Sequence, residues 1–492
     1  MDESPVSGVI FGYLHAIISY AFAVVYVILL TRIIPLTQYG YYNTLMAMMG
    51  MIGLFFPTLG IDAAIAREGA MFHSKGLDID AHYAALLAIS LITSTLYAAA
   101  LIIAIPLYLM SRIPSEYMGL VFVYVAYAII SGLNGVLSSY LWMTGRLASQ
   151  NLGGMIGRVV FRSIEMVLLI LLRNVYALLI SMVIGQLVTL FYYLIVVKHF
   201  VNPSKGISLI KRGLRDYFNI GIQNWLLGYV GSIGGYVITY VTYLFIGADY
   251  VALYNMAIYI LGAVTALGGS VTGVFGSRLA HALGSGSSDI HHLIRDYTLA
   301  TISISGVLAA GAVLASPLLP LLGIVHGEYV EAIPYGIALF GTAVLGSVNS
   351  IYTTYYWVSG RGWTALKVSS VGIAVNVASA LALLIIDRDL GLYSVIIAAY
   401  LGSLVPLIIY LSMARDSSVT DIAMNTAVYL LLSIAGALSY LLIVNSWPLC
   451  QLVVFLVTIL VTYIMKPIPR SVVNQLPRFI RPLLTPFVKI GE

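Results

Sequence analysis

The stretch NGVLSSYLWMTGR, residues 134–146, returns as NSIYTTYYWVSGR at residues 349–361. Both read Asn, seven residues, Trp, one residue, Ser or Thr, then Gly-Arg, and they stand 215 positions apart. Five chemical types kept at fixed spacing make coincidence a poor explanation. Weaker matches flank the pair. Tyr39, Tyr42 and Asn43 correspond to Tyr250, Tyr254 and Asn255, and Arg67 corresponds to Arg278 at an offset of 211. The offset drifts by a few residues, as insertions in loops produce. The chain reads as an internal duplication.

Composition says what is duplicated. Only 9% of the 492 residues are charged, 61% are hydrophobic, and mean hydropathy is +0.99. Soluble domains carry about 25% charged residues. With charge so scarce, charged residues act as boundaries between candidate membrane spans of about 20 apolar residues each. Uncharged runs at 4–31, 33–61, 81–111, 117–145, 174–197, 217–248, 250–277, 297–327, 332–360, 368–386 and 390–414 hold one span each. The run 422–465 is broken at Asn445-Ser446-Trp447-Pro448 and holds two. The stretch 152–172, which contains Arg158, Arg162 and Glu165, makes fourteen. The hydrophobicity is continuous rather than alternating, which excludes a β-barrel.

The expected fold is therefore an all-α polytopic membrane protein with about 14 transmembrane helices. The duplicated motifs lie in spans two, four, eight and ten, so the repeat unit is six spans. An even number preserves orientation, giving a parallel repeat about an axis along the membrane normal. The expected organisation is an N-terminal lobe at 1–197, a basic amphipathic linker at 198–218 and a C-terminal lobe at 219–414. Two further spans at 415–465 and a basic, proline-rich tail at 466–492 complete it. Transporters built this way hold substrate near the midplane, at the repeat interface.

Basic residues orient the bundle. With both termini in the cytoplasm, the inner loops and tail hold 18 of the 24 Lys and Arg residues and the outer loops hold four, Arg32, Arg112, Arg173 and Arg388. That asymmetry follows the positive-inside rule. It accounts for the net charge of +5 without a nucleic-acid partner. The linker, with Ile207, Leu209, Ile210 and Leu214 as an apolar stripe, and the tail both suit the inner headgroup layer. The N-terminus lacks the basic region of a signal peptide, so the first apolar run is expected to be a retained span.

Three charges remain that topology does not explain. Arg158, Arg162 and Glu165 fall at i, i+4 and i+7, one face of a helix. Counted from an inner end near Leu152 at about 1.5 Å per residue, Arg158 sits roughly 9 Å deep and Arg162 about 15 Å. Charge at such depth faces a cavity or a partner. One reading is an anion site, since guanidinium groups bind phosphate through paired, charge-assisted hydrogen bonds. The other is a buried Arg162–Glu165 pair with Arg158 reaching toward the inner surface. The equivalents in the second half are Ile373 and Val377, so a pairing common to both halves is not supported.

Other polar residues are weaker candidates. Gln223 and Asn224 begin span seven and could hydrogen-bond sugar hydroxyls or link helices. Asp62, five residues before Arg67, reads as a coupling or gating group, a helix cap or an ion-pair partner of Arg67. His15 in span one reads as a proton relay or a packed histidine. The repeat-motif residues Asn134, Trp142, Arg146, Asn349, Trp357 and Arg361 read as structural, with Trp at the interface beside a tight Gly turn.

Absences restrict the chemistry. There is no Gly-x4-Gly-Lys-(Ser/Thr) phosphate loop, no His-Glu-x-x-His and no cysteine cluster, Cys450 being the sole cysteine. No cofactor, metal site or enzymatic activity is expected. Transport would be driven by an H+ or Na+ gradient, the membrane potential or the substrate's own gradient.

Two segments carry a family resemblance. Residues Leu29-Leu30-Thr31-Arg32-Ile33-Ile34-Pro35, followed by Gln38-Tyr39-Gly40-Tyr41-Tyr42, are similar to the opening of polysaccharide and O-antigen (Wzx-like) flippases. So is Leu59-Gly60-Ile61-Asp62-Ala63-Ala64-Ile65-Ala66-Arg67. Those flippases belong to the multidrug/oligosaccharidyl-lipid/polysaccharide (MOP) exporter superfamily. The resemblance implies two six-helix lobes with two extra helices, alternating access, and translocation of a polyprenyl-(pyro)phosphate-linked oligosaccharide. It also implies cationic residues in the cavity, which suits Arg158 and Arg162; the second lobe departs from it in offering no embedded charge. Partners on this reading are the bilayer, the lipid-linked oligosaccharide and a glycan polymerase or oligosaccharyltransferase machinery. The alternatives are a cation-coupled multidrug or metabolite exporter, MATE-like, and a non-transporting partner of glycan assembly.

Overall fold

The computed structural model describes residues 22–54, 60–109, 113–199, 201–284, 290–414, 418–442, 449–468 and 485–488. Apart from one bridge between Ile468 and Val488, the described residues form helices and their connections. In chain order they are α1 (Phe22–Ile33), α2 (Leu36–Leu54), α3 (Ile61–Ser74), α4 (Asp80–Leu109), α5 (Gly119–Met143), α6 (Leu147–Leu172), α7 (Tyr176–Val197) and α8 (Ser204–Ile246). Then come α9 (Ala248–Gly284), α10 (Ile290–Ala315), the single turn α11 (Leu318–Leu321), α12 (Ala332–Val358), α13 (Gly362–Ile386), α14 (Leu392–Met413), α15 (Ser418–Leu442) and α16 (Leu449–Met465).

Among the described residues nine helices are long and apolar enough to cross a membrane, accompanied by the shorter apolar α1 and α16. The protein is a multi-pass, all-α membrane protein. Thirteen of the expected spans fall on α2, α4 to α10 and α12 to α16; of the first, only the end lies in α1 and residues 4–21 are outside the described residues. Hydrocarbon cannot satisfy exposed N–H and C=O groups, so uninterrupted apolar runs form helices that satisfy their own.

The chain divides into two compact units. One comprises Met1–Tyr229 with Gly323–Gly327, the other Val230–Leu322 with Glu328–Glu492. The first unit thus takes the N-terminal half of α8. The residues expected as a linker, 198–218, lead into and then form this 43-residue helix. Their apolar stripe divides: Leu209, Ile210 and the buried Tyr217 pack on the core of α3, α4, α5 and α7, while Ile207 and Leu214 stay exposed with Lys211, Arg212 and Arg215. At Gly60, with φ of +73°, the backbone touches that of Gly221 on α8, so neither position has space for a Cβ.

In the second unit α12 is the central helix. Ile337, Phe340, Val344, Val348 and Ile351 along it are fully buried. The last two helices pack here: Tyr429 on α15 donates to Thr462 on α16 at 2.8 Å, and its ring lies against Gly306 on α10. Arg295 on α10 pairs with Asp421 on α15 at 2.5 Å.

The duplication is visible in the packing of each unit. In the first, α6 and α7 cross at Gly157 and Gly185, where a Cβ would lie 3.1 Å and 2.9 Å from the partner's carbonyl oxygen. In the second, α13 and α14 cross at Gly372 and Gly402, with distances of 2.7 Å and 3.0 Å. Small residues let helix backbones approach where lipid supplies no hydrophobic drive.

Candidate functional site

The motif asparagine explains itself as a cross-helix tie. Asn134 on α5 donates from Nδ2 to the Gln186 carbonyl of α7 at 2.8 Å and lies 2.6 Å from Gln186 Oε1. Asn349 on α12 donates to the Ser403 carbonyl of α14 at 2.8 Å. The repeat extends to residues the sequence pattern does not reveal. Tyr410 shares a 3.0 Å hydrogen bond with Thr353, and Tyr193 bonds Ser138 at the corresponding place. Asn43 and Asn255 each donate to the carbonyl four residues earlier, at 2.8 Å and 2.9 Å.

The Gly-Arg end of the motif is a helix stop. Gly145 and Gly360 have φ of +71° and +77°, the left-handed conformation that glycine adopts without penalty. Arg146 N donates to Leu141 O at 2.8 Å, and Arg361 N to Tyr356 O at 2.7 Å, six-to-one bonds of the Schellman type. The Arg146 guanidinium also donates to the Val196 carbonyl at the end of α7, at 3.2 Å. Trp142 and Trp357, one turn back, are both half-exposed.

This turn sets where α6 begins, and it corrects the expected depth. The helix starts at Leu147, not near Leu152. Ser149, Gln150 and Asn151 suggest a loop by composition, yet they are helical. Gln150 Nε2 donates to Ser138 Oγ at 2.7 Å, and the Gln150 carbonyl accepts from Tyr193 at 2.9 Å. Counted from Leu147 at about 1.5 Å per residue, Arg158 lies about 17 Å along the helix and Arg162 about 22 Å.

The three charges separate into two environments. Arg162 Nη1 pairs with Glu165 Oε2 at 2.5 Å, and Glu165 is only 3% exposed. The Arg162 guanidinium also sits 4.8 Å from the centroid of the Tyr26 ring and 4.7 Å from that of Phe161. Arg158 is exposed and pairs with no carboxylate among the described residues. It lines a cavity of about 440 Å³ within the first unit, together with Tyr127, Ser131, Asn134, Ser138 and Gln186. The Asn134 Oδ1 acceptor is buried without a partner. Gln186, Tyr127 and Ser131 carry no periodic or motif signal in the sequence. Only the fold collects them around Arg158.

The remaining candidates lie elsewhere. Asp62 is the second residue of α3, where a carboxylate favours the helix N-terminus. Arg67, a turn further on, is exposed. His15 lies outside the described residues, as do the side chains of Gln223 and Asn224 on α8. A group the sequence did not flag ties α3, α4 and α8 together. Tyr217 donates to Glu68, and Glu68 lies 3.6 Å from the buried His82. Burial first, then the Glu68 carboxylate, raises the Tyr217 phenol well above its ordinary range, so it stays a donor. Among the described residues no group of His, Cys, Asp and Glu could hold a metal ion.

Known proteins share this fold. A multidrug resistance MATE family transporter of the MOP superfamily, inward-facing, is similar with a TM-score of 0.62 and 17% identity, covering 82% of this chain and 95% of that one. The lipid II flippase MurJ, inward closed, gives 0.62 at 12% identity, covering 92% and 99%. An outward-facing MATE family transporter gives 0.57 at 20% identity, covering 85% and 95%. No curated protein matches the sequence. A family profile does, over residues 6–275, which is more than half of the chain and includes the helices around Arg158. A duplicated helical bundle and that match lead to one assignment: the chain belongs to the polysaccharide biosynthesis protein family.

Proposed function

We propose that the protein is a flippase that moves a polyprenyl-(pyro)phosphate-linked oligosaccharide across the cytoplasmic membrane by alternating access, with both termini cytoplasmic. The observation that carries this reading is Arg158. It is an exposed guanidinium on a mid-helix turn of α6, facing a cavity, with no anionic partner among the described residues. A cation held there is costly against lipid and is stabilised when an anion arrives. Its planar fork matches phosphate oxygens bidentately. Arg162, held by Glu165 and stacked between Tyr26 and Phe161, adds positive potential one turn away. Membership of a polysaccharide biosynthesis family supports a glycan substrate, and among the described lining residues no carboxylate favours a cationic drug.

The test is Arg158→Ala in the full chain, reconstituted into vesicles with a labelled lipid-pyrophosphate-linked oligosaccharide. Hydrogen bonds to charged groups contribute about 1.5–3 kcal/mol, so translocation is expected to fall about tenfold or more. Arg158→Lys keeps the charge but loses the fork, and an intermediate rate is expected. Unimpaired translocation in Arg158→Ala would sink the assignment.

A further inference from the structure

The second unit contains a cavity of about 1020 Å³, more than twice the volume of the one beside Arg158. Small-molecule sites run roughly 300–1,000 Å³, so it is large enough for several sugar rings. Its walls come from α9, α10, α12, α13 and α14. The repeat makes it the counterpart of the Arg158 cavity. Gly346, Ser350, Asn376 and Ser403 in its lining stand where Ser131, Gly135, Phe161 and Gln186 stand in the first unit. The same place in the two halves has diverged in chemistry. Where the first half has Arg158, the second has Ile373, packed on Gly234, and no charged residue is among the described residues that line the larger cavity.

What the larger cavity offers is hydroxyl groups. Tyr254, Ser305 and Ser403 line it beside Thr265, Thr342, Ser347, Ser350 and Thr354. The last five donate to carbonyls of their own helices at 2.6 to 3.3 Å, and Ser350 also shares a 3.1 Å hydrogen bond with Thr272. With the protons spent on backbone, the hydroxyl oxygens keep lone pairs for a guest. Asn376 adds a buried Oδ1 that has no hydrogen-bond partner. An unpaired buried acceptor is costly, and a guest that brings N–H or O–H donors removes that cost. Trp357, half-exposed, also lines it. Such a site, with no charged group among its described lining residues, suits an uncharged molecule dense in hydroxyl groups, which both donate and accept.

We infer that this cavity is a binding site for the neutral sugar portion of the substrate. The inference rests on the flippase reading for its ligand, but not for its chemistry. It assigns the two halves different tasks: an anion at Arg158 in the first, uncharged sugar hydroxyls in the second.

Gly346 gives a clean way to fill the space, because a Cβ built there meets nothing within 4 Å. Two variants of the full chain, Gly346→Phe and the near-isosteric pair Thr354→Val with Asn376→Leu, are compared in vesicles. The substrates are a polyprenyl pyrophosphate carrying one sugar and the same lipid carrying a neutral pentasaccharide. The ratio of pentasaccharide to single-sugar translocation is expected to fall about tenfold in both variants, because several neutral hydrogen bonds are lost. Arg158→Ala is expected to lower both rates and keep the ratio. An unchanged ratio in both cavity variants overturns the inference.

A binding measurement separates this outcome from failure of the flippase reading. Maltopentaose is titrated against the detergent-solubilised chain, and the fluorescence change that disappears in Trp357→Phe is followed. A saturable change that weakens about tenfold in Thr354→Val/Asn376→Leu supports the site, even if wild type translocates neither lipid. No response to the sugar, or a response only to an organic cation such as tetraphenylphosphonium, overturns it.

Discussion

At the scale of the residue, three charges that look alike in sequence divide by environment. Arg162 and Glu165 neutralise one another inside the first unit, and Arg158 does not share in that pair. Removing one member of a buried pair leaves an uncompensated charge, at about 3–5 kcal/mol. Glu165→Gln is therefore expected to lower thermal stability in detergent markedly. The double change Arg162→Met with Glu165→Leu is expected to recover most of it. Arg158→Ala is expected to leave stability near wild type, because no ion pair is broken; a large loss would mean that Arg158 is structural. The sequence shows that these residues share a helix face. The i,i+3 spacing already favours Arg162 as the partner of Glu165; what it does not show is that Arg158 lines a cavity, which residues of α5 and α7 decide.

At the scale of the element, glycine and asparagine set how helices meet. Gly185→Val and Gly402→Val place a branched side chain against a carbonyl of the facing helix, which must then move away. Both variants are expected to lose folded, monodisperse protein in size-exclusion chromatography. Gly235→Ala, where a Cβ meets open space, is expected to gain up to about 1 kcal/mol from helix propensity. Asn134→Ala and Asn349→Ala each remove one cross-helix tie, and each is expected to cost about 1 kcal/mol. Equal losses in the two would show that the duplicated motif is a packing device. A selective loss of transport in Asn134→Ala at unchanged stability would assign that residue to the Arg158 cavity. The Asn-Trp-Gly-Arg spacing was legible because it sits within one helix and its stop. The Gly157–Gly185 and Gly372–Gly402 crossings were not, because their members lie in different helices and glycine is common throughout.

At the scale of the whole molecule, the distribution of charge carries the proposed orientation. That proposal puts the exposed Lys205, Lys211, Arg212 and Arg215 on the N-terminal half of α8 in the inner headgroup layer, where each basic residue is worth about 1 kcal/mol against anionic lipid. The single native cysteine makes the topology simple to measure. With Cys450→Ser as background, a cysteine replacing Ser208 is expected to resist an impermeant thiol reagent in intact cells and to react in inverted vesicles. One replacing Ser115 is expected to do the opposite. The reverse pattern would invert the proposed direction of transport.

The sequence by itself determined the class, the number of spans and the duplication. Bilayer thickness and the ban on unsatisfied backbone in hydrocarbon act locally, and so they print onto composition and spacing. Only the tertiary structure decided where α6 begins, that Arg162 and Glu165 pair while Arg158 lines a cavity, and that one repeat position holds a cationic cavity in the first half and an uncharged, hydroxyl-lined one in the second. Those depend on contacts between different helices, at Gln150 with Ser138, Asn134 with Gln186, and Asn349 with Ser403, which no pattern within one helix records.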